Sequence, residues 1–281
     1  MAGFFGLFNY EKEGPGIRKD GPKKKTFIVF LETFFRNFWK FIPINLFYGL
    51  LSLPLVTGGL SSAGLTNVTR NIARDKHSFG LSDFWDTVRK NWKQALAVGI
   101  LRVLCVFVLG YAFWFYAHGK GLGASIGIGM CLCLSFIFAV MNFFVWTLMI
   151  TFKFSVGQIL KNSFRFVFLN MKRNLLCGII LLLTEALYVA IPFLFFHPLV
   201  LTLLGMLYLC TFPAFRYLLI QYCTFPSIQK YIIDPYYAEH PDEDIERRRD
   251  LGLEVEDPNA PETDEESEDG EEDPDAPVFE D

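Results

Sequence analysis

Three ionisable side chains, Arg102, Glu185 and Arg216, stand inside long apolar stretches of this sequence. Placing a charge at membrane depth is costly, so each marks a point where a proton or a substrate could be handled. Counted at 1.5 Å per helical residue, Glu185 lies roughly 16 Å beyond Asn174, and Arg102 roughly 10 Å beyond Ala95 on the same side. Those two could meet, either as a structural pair or as a contact for a proton or substrate in a polar cavity. Glu185 could instead bond to Thr184, Tyr188 or another helix. Arg216, roughly 27 Å from Pro198, falls near the inner interface, where it can extend its head into water as an interfacial anchor. A second group of polar candidates is Thr57, Ser61 and Ser62, which follow Pro54 and flank Gly58 and Gly59. Proline removes a backbone donor and glycine frees the chain, so Pro54, Gly58 and Gly59 read as a helix break. Broken helices with free backbone groups line many transporter sites, although a plain turn between two short helices explains the same residues.

Other chemistries are poorly supported. The four histidines, His77, His118, His197 and His240, are far apart, and no phosphate-cradling loop of the Gly-x-x-x-x-Gly-Lys-Ser/Thr form occurs. Six cysteines lie within apolar runs, where a thiol behaves as a small hydrophobe, so they read as reduced and structural. Cys131 and Cys133 point to different helix faces with no histidine near, which argues against a metal site. We expect no enzyme, no catalytic residue, no metal and no cofactor. Lys23, Lys24 and Lys25 read as attraction to anionic lipid rather than to nucleic acid. Asn67-Val68-Thr69 matches a glycosylation acceptor by pattern only.

The elements that position the polar residues must be membrane helices. The 281 residues are 52% apolar and include 31 Phe, more than one soluble core can bury. No charge occurs between Lys120 and Lys153, ample for one crossing at about 124–150, and 96–117 forms another, joined to it through the short turn His118–Gly123. Asn174 to Phe225 suits two further crossings joined at His197-Pro198. Residues 41–68 are long for one crossing and short for two. Basic residues cluster in 1–40, 70–93 and 153–173, whereas the turns at 118–123 and 197–198 hold only Lys120. All three clusters reach the cytoplasm only if 41–68 enters and returns, as a short or re-entrant hairpin. Each hairpin follows a basic amphipathic segment, at 30–40, 84–93 and 159–174. In the second, Phe84, Val88 and Trp92 form an apolar stripe on a helix that Ser82 could cap, suited to the inner membrane surface. The small residues Gly123, Ser125, Gly127 and Gly129 read as a close-packing surface.

No cleavable signal is expected at Met1–Tyr10, because Glu11, Lys12 and Glu13 follow at once without a small-residue cleavage site. Residues 239–281 hold 3 Lys/Arg against 21 Asp/Glu and several prolines, the composition of a disordered tail. The expected fold is therefore an all-α integral membrane protein of three amphipathic-helix-plus-hairpin units with five to six passes. Its parts are a cytoplasmic segment 1–25, a transmembrane domain 26–233 and an acidic cytoplasmic tail 234–281. Both termini are expected in the cytoplasm and the chain in the cell membrane. The lipid bilayer is the first expected partner, and no oligomeric state is indicated.

Gly6-Leu7-Phe8-Asn9-Tyr10 with Pro15-Gly16, the Leu53-Pro54-Leu55-Val56-Thr57-Gly58 break, and Asp83-Phe84-Trp85 through Asn91-Trp92-Lys93-Gln94-Ala95 resemble the YesL family of bacterial membrane proteins. Pro213-Ala214-Phe215, Gln221-Tyr222 and Lys230-Tyr231-Ile232 add to the resemblance, which spans residues 4 to about 233. The acidic tail departs from the family's compact length. That family has no established activity, and its genes often accompany those for carbohydrate uptake and use. The resemblance therefore implies an accessory role beside sugar transporter subunits. Two alternatives remain: a small transporter whose path runs by the Pro54–Ser62 break and Glu185, and a membrane-protein assembly factor acting through its inner amphipathic helices.

Overall fold

The computed structural model describes residues 26–76, 78–194 and 197–239. All of their regular structure is helical, with no strand among the described residues. The N-terminal segment 1–25, His77, and nearly all of the expected acidic tail lie outside the described residues. The chain divides into two units, Met1–Ile228 and Gln229–Asp281.

The first unit begins with α1 (Thr26–Arg36) and α2 (Phe38–Ser52). A 3-10 turn (Leu55–Thr57) leads to α3 (Gly58–Ala73), and α4 (Leu81–Ala117), α5 (Leu122–Thr151), α6 (Val156–Leu169), α7 (Met171–Leu194) and α8 (Pro198–Ile228) follow. In the second unit, a π-helical turn (Gln229–Ile233) precedes α9 (Asp234–Glu239), so the first six residues expected in the tail form a short helix.

Four helices, α4, α5, α7 and α8, are long and apolar enough to cross a membrane. Their outer faces carry Leu104, Phe107, Leu132, Leu182, Leu183 and Leu203, all more than half exposed, as a lipid solvent requires. The crossings pair at the expected turns, α4 with α5 through 118–121 and α7 with α8 just before Pro198, which takes the first helical position that proline favours. Helices α2 and α3, with 15 and 16 residues, are about 22 and 24 Å long, shorter than a hydrocarbon core of roughly 30 Å. They form a hairpin around the Pro54 turn, held where the Ser52 and Ser61 hydroxyls lie 2.6 Å apart.

Helix α3 is the centre of the first unit. It reads GGLSSAGLTNVTRNIA, too polar for lipid, and it packs against α1, α2, α4, α5 and α8. Ser61, Ser62, Leu65, Thr66, Val68 and Thr69 are all at most 1% exposed. Burial without a lost hydrogen bond is possible because the hydroxyls fold back on carbonyls one turn earlier: Ser62 donates to Gly58, Thr66 to Ser62 and Thr69 to Leu65. Small side chains let neighbouring backbones approach closely. Gly59 and Gly99 bring α3 and α4 together so tightly that a Cβ on Gly59 would lie 2.8 Å from Gly99 Cα.

The amphipathic segments differ from expectation in where their apolar faces go. Segment 84–93 is no separate surface helix. It is the first part of the 37-residue α4, about 55 Å long, and continues without a break into the crossing. Of its stripe, Phe84 and Val88 are 1% and 6% exposed against protein, with the Phe84 ring over Gly64, and Trp92 is 51% exposed. The helix starts after Gly80 rather than at a Ser82 cap. Gly80 takes a positive φ of 64° that suits glycine, and the Asp83 carboxylate accepts from the Phe79 amide at 3.0 Å. Helix α6 does start on a side-chain cap, Ser155 exchanging bonds with Gln158.

Candidate functional site

The break after α2 sets the geometry of the site. Pro54 is extended, Leu55–Thr57 make one tight turn, and the Thr57 hydroxyl donates to the Pro54 carbonyl at 2.9 Å, so Thr57 closes the turn rather than facing a cavity. The chain then enters α3 at Gly58, with the positive end of the helix dipole at the break.

Across from this helix start, Arg102 reaches back from α4. Its Nη1 lies 3.4 Å from Ser62 Oγ, and the Tyr217 hydroxyl of α8 donates to the same oxygen at 2.7 Å. Tyr48 of α2 sets its ring edge-on to Tyr217, with centroids 5.8 Å apart. Three helices thus meet at Ser62, and α2 joins them through Tyr217. Beside this knot is a cavity of about 400 Å³, lined by Tyr48, Ser52, Gly58, Gly59, Arg102 and Phe107 among others. That size is in the range of small-ligand sites, roughly 300–1,000 Å³.

Glu185 is elsewhere. Its Oε1 accepts from Arg216 Nη1 at 3.2 Å, so the pair is Glu185–Arg216, not Glu185–Arg102. Glu185 precedes His197 by 12 residues and Arg216 follows it by 19, an axial offset of roughly 10 Å between their Cα atoms in the hairpin. The long arginine side chain spans that offset to reach the carboxylate. Glu185 also lines a separate cavity of about 360 Å³ between α7 and α8, with Tyr188, Leu201 and Tyr208. The polar candidates therefore form two centres. Arg102 and Ser62 make one at the break, with Ser61 engaged to Ser52 beside it, and Glu185 with Arg216 makes the other. Consecutive residues of α8 serve both, Arg216 reaching Glu185 and Tyr217 reaching Ser62.

A third polar cluster, absent from the sequence reading, ties the far end of α3 to its neighbours. Arg70 donates to the Ile150 carbonyl at 3.3 Å, to Thr151 Oγ1 at 2.8 Å and to Asn67 Oδ1 at 2.8 Å. A cation at the last carbonyls of α5 favours that helix end. Burial, and secondarily the neighbouring Arg74, push the Arg70 guanidinium down to about 10, still charged near neutral pH. Asn67, the glycosylation match, donates to Thr87 Oγ1 at 2.7 Å and is part of this lock. Tyr48, Tyr217 and Gly99 also escaped the sequence reading. The adjacency of Tyr217 to Arg216 and the spacing of Ala95 and Gly99 on one helix face were the available signals.

All six cysteines are free, and no group of three or more metal-ligating side chains occurs among the described residues. No curated protein and no solved structure matches the chain. Residues 41–113 are similar to a family described as a protein of unknown function, DUF624, and that stretch holds most of α2, the break, α3 and nearly all of α4, the elements that supply most of the cavity around Arg102.

Proposed function

We propose that this chain is a non-enzymatic, solute-binding protein of the cell membrane, whose binding site is the cavity between the Pro54–Gly59 break and Arg102. The observation that supports this reading is a cation lining a cavity with an otherwise largely apolar wall, beside the hydroxyl groups of Tyr48 and Ser52. Such a group is costly to keep in a helix of this kind unless something polar visits it. Transport past the break is the natural use of such a site, since α3, which begins there, is the least lipid-like helix of the first unit. The basic clusters support an orientation with both termini in the cytoplasm.

The test is thermal stabilisation of the detergent-solubilised full chain by a total methanol extract of cells, which holds polar metabolites and lipids together. The extract should raise the melting temperature by about 3 °C or more, and Val103→Trp, which fills the cavity, should remove that shift. An equal shift in the filled variant would overturn the reading.

A second reading, an accessory protein beside sugar transporter subunits, follows from the resemblance to the YesL family. The exposed aromatic residues Phe35, Trp39, Trp85 and Trp92 on α1, α2 and the first part of α4 favour it as a contact surface for another membrane protein. Co-purification from native membranes under sugar-limited growth tests it, and recovery of the chain without transporter subunits would refute it.

A further inference from the structure

Arg102 pairs with no carboxylate among the described residues. Arg36 pairs with Asp75 and Arg216 with Glu185, whereas Arg102 meets the Ser62 hydroxyl, at 3.4 Å. A guanidinium carries five donors, most of which a single serine leaves unused. Every other contribution at this point has the same sign or is neutral. The α3 N-terminus presents the positive end of its dipole, and Tyr48 and Ser52 present hydroxyls that donate as readily as they accept. No group lining the cavity carries a negative charge. A site with this electrostatic character selects an anion, and the fork of an arginine matches the paired oxygens of phosphate or carboxylate.

The rest of the cavity describes what carries the anion. Leu55, Val103, Val106 and Phe107 line it, and Leu55 and Phe107 at its rim are each 72% exposed on the apolar outer surface. A ligand seated with its oxygens on Arg102 would therefore lay its remainder against apolar side chains facing lipid. By contrast, the charged group lining the other polar cavity is Glu185, which already has Arg216 as its partner, and the cavity lined by Phe34, Leu187, Ile191, Leu204 and Phe212 has no charged group.

We propose that the Arg102 cavity binds an oxyanion, a phosphate or carboxylate head carried on an apolar body, with the guanidinium holding the head and the Leu55–Phe107 wall holding the body. This deepens the solute-binding reading and rests on it. The same head could belong to a membrane amphiphile or arrive as a free solute.

The test uses the full chain in a neutral maltoside detergent, with dihexanoyl phosphatidic acid, inorganic phosphate and uncharged dihexanoyl glycerol as separate probes. The phosphatidic acid should raise the melting temperature by about 3 °C or more at ten times its dissociation constant, and the uncharged analogue should not. Stabilisation by inorganic phosphate at comparable concentration would assign a free solute, and stabilisation by the amphiphile alone would assign a membrane source. Arg102→Gln should remove the shift measured from its own baseline, and Arg102→Lys should weaken binding at least about tenfold. Equal stabilisation of the native chain by the uncharged analogue would overturn the inference, whatever the arginine variants do. So would a full shift in Arg102→Gln. If Val103→Trp abolishes the response to the cell extract while these anions have no effect, the cavity is a binding site and the anion assignment fails. If Val103→Trp changes nothing, both fail.

Discussion

Gly58 and Gly59 are neighbours at the start of α3, and alanine should act on them with opposite sign. Around Gly58 nothing lies within 4 Å of the position a Cβ would occupy, and its backbone is already helical, with φ −57° and ψ −24°. Alanine there gains helix propensity, up to about 1 kcal/mol and nearer half that in a first turn. A Cβ on Gly59 would press on the Ala95 carbonyl oxygen and lie 2.8 Å from Gly99 Cα, where ordinary contact begins at 3.4 Å. Both obstacles are backbone, so no side chain can swing away. The α3–α4 contact must open by at least the difference, about 0.6 Å, along the most extensive helix pair of the molecule. Overpacking of that kind costs about 1–3 kcal/mol, which outweighs the propensity gain. The two variants should then differ by about 2–3 kcal/mol, or about 5–10 °C in melting temperature for a unit of this size. The assay is a thermal scan of the detergent-solubilised protein followed by its monodisperse fraction on a sizing column. Equal midpoints for Gly58→Ala and Gly59→Ala, or a lower midpoint for Gly58→Ala, would refute the packing argument.

Three further outcomes follow from the polar centres. Glu185→Leu and Arg216→Leu should each destabilise by about 1–3 kcal/mol, because each leaves one charge without its partner, and the double variant should recover at least half of the larger loss; additive losses in a thermal double-mutant cycle would disprove the pairing. Arg70→Met should cost about 2–3 kcal/mol, with Arg70→Lys restoring less than half, since an ammonium cannot serve Ile150, Thr151 and Asn67 together; full rescue by lysine in the same thermal assay would refute the fork geometry. In a variant stripped of the six native cysteines, Leu53→Cys should resist an impermeant maleimide added outside intact cells, whereas Lys120→Cys should react. Equal reaction at both positions would mean that the α2–α3 hairpin crosses the full bilayer.

What the sequence made legible was set by which physical force acts on each stretch. Desolvation reads from one residue at a time, so the uncharged run from Gly121 to Phe152 marked α5, and the His197-Pro198 step marked the turn before α8. Breaks read almost as well, because Pro54 and Gly58 act on their own backbone. Partner choice between helices was less legible, since it depends on rotation and offset that a one-dimensional count leaves free. Depth arithmetic put Glu185 and Arg102 within reach of each other, yet Arg216, three residues beyond Pro213 on a neighbouring helix, has the side-chain length to take the carboxylate first. The same blindness hid the central place of α3. Its hydroxyls and glycines look like a loop or a weak crossing when lipid is assumed to surround every helix, and they make sense only once five other helices supply the apolar solvent around it. The buried polar residues of α3 are therefore placed by protein rather than by lipid or water. That is why Arg102, left with a single hydroxyl, stands apart from Arg70, whose donors meet three oxygens, and from Arg216, which is paired with Glu185.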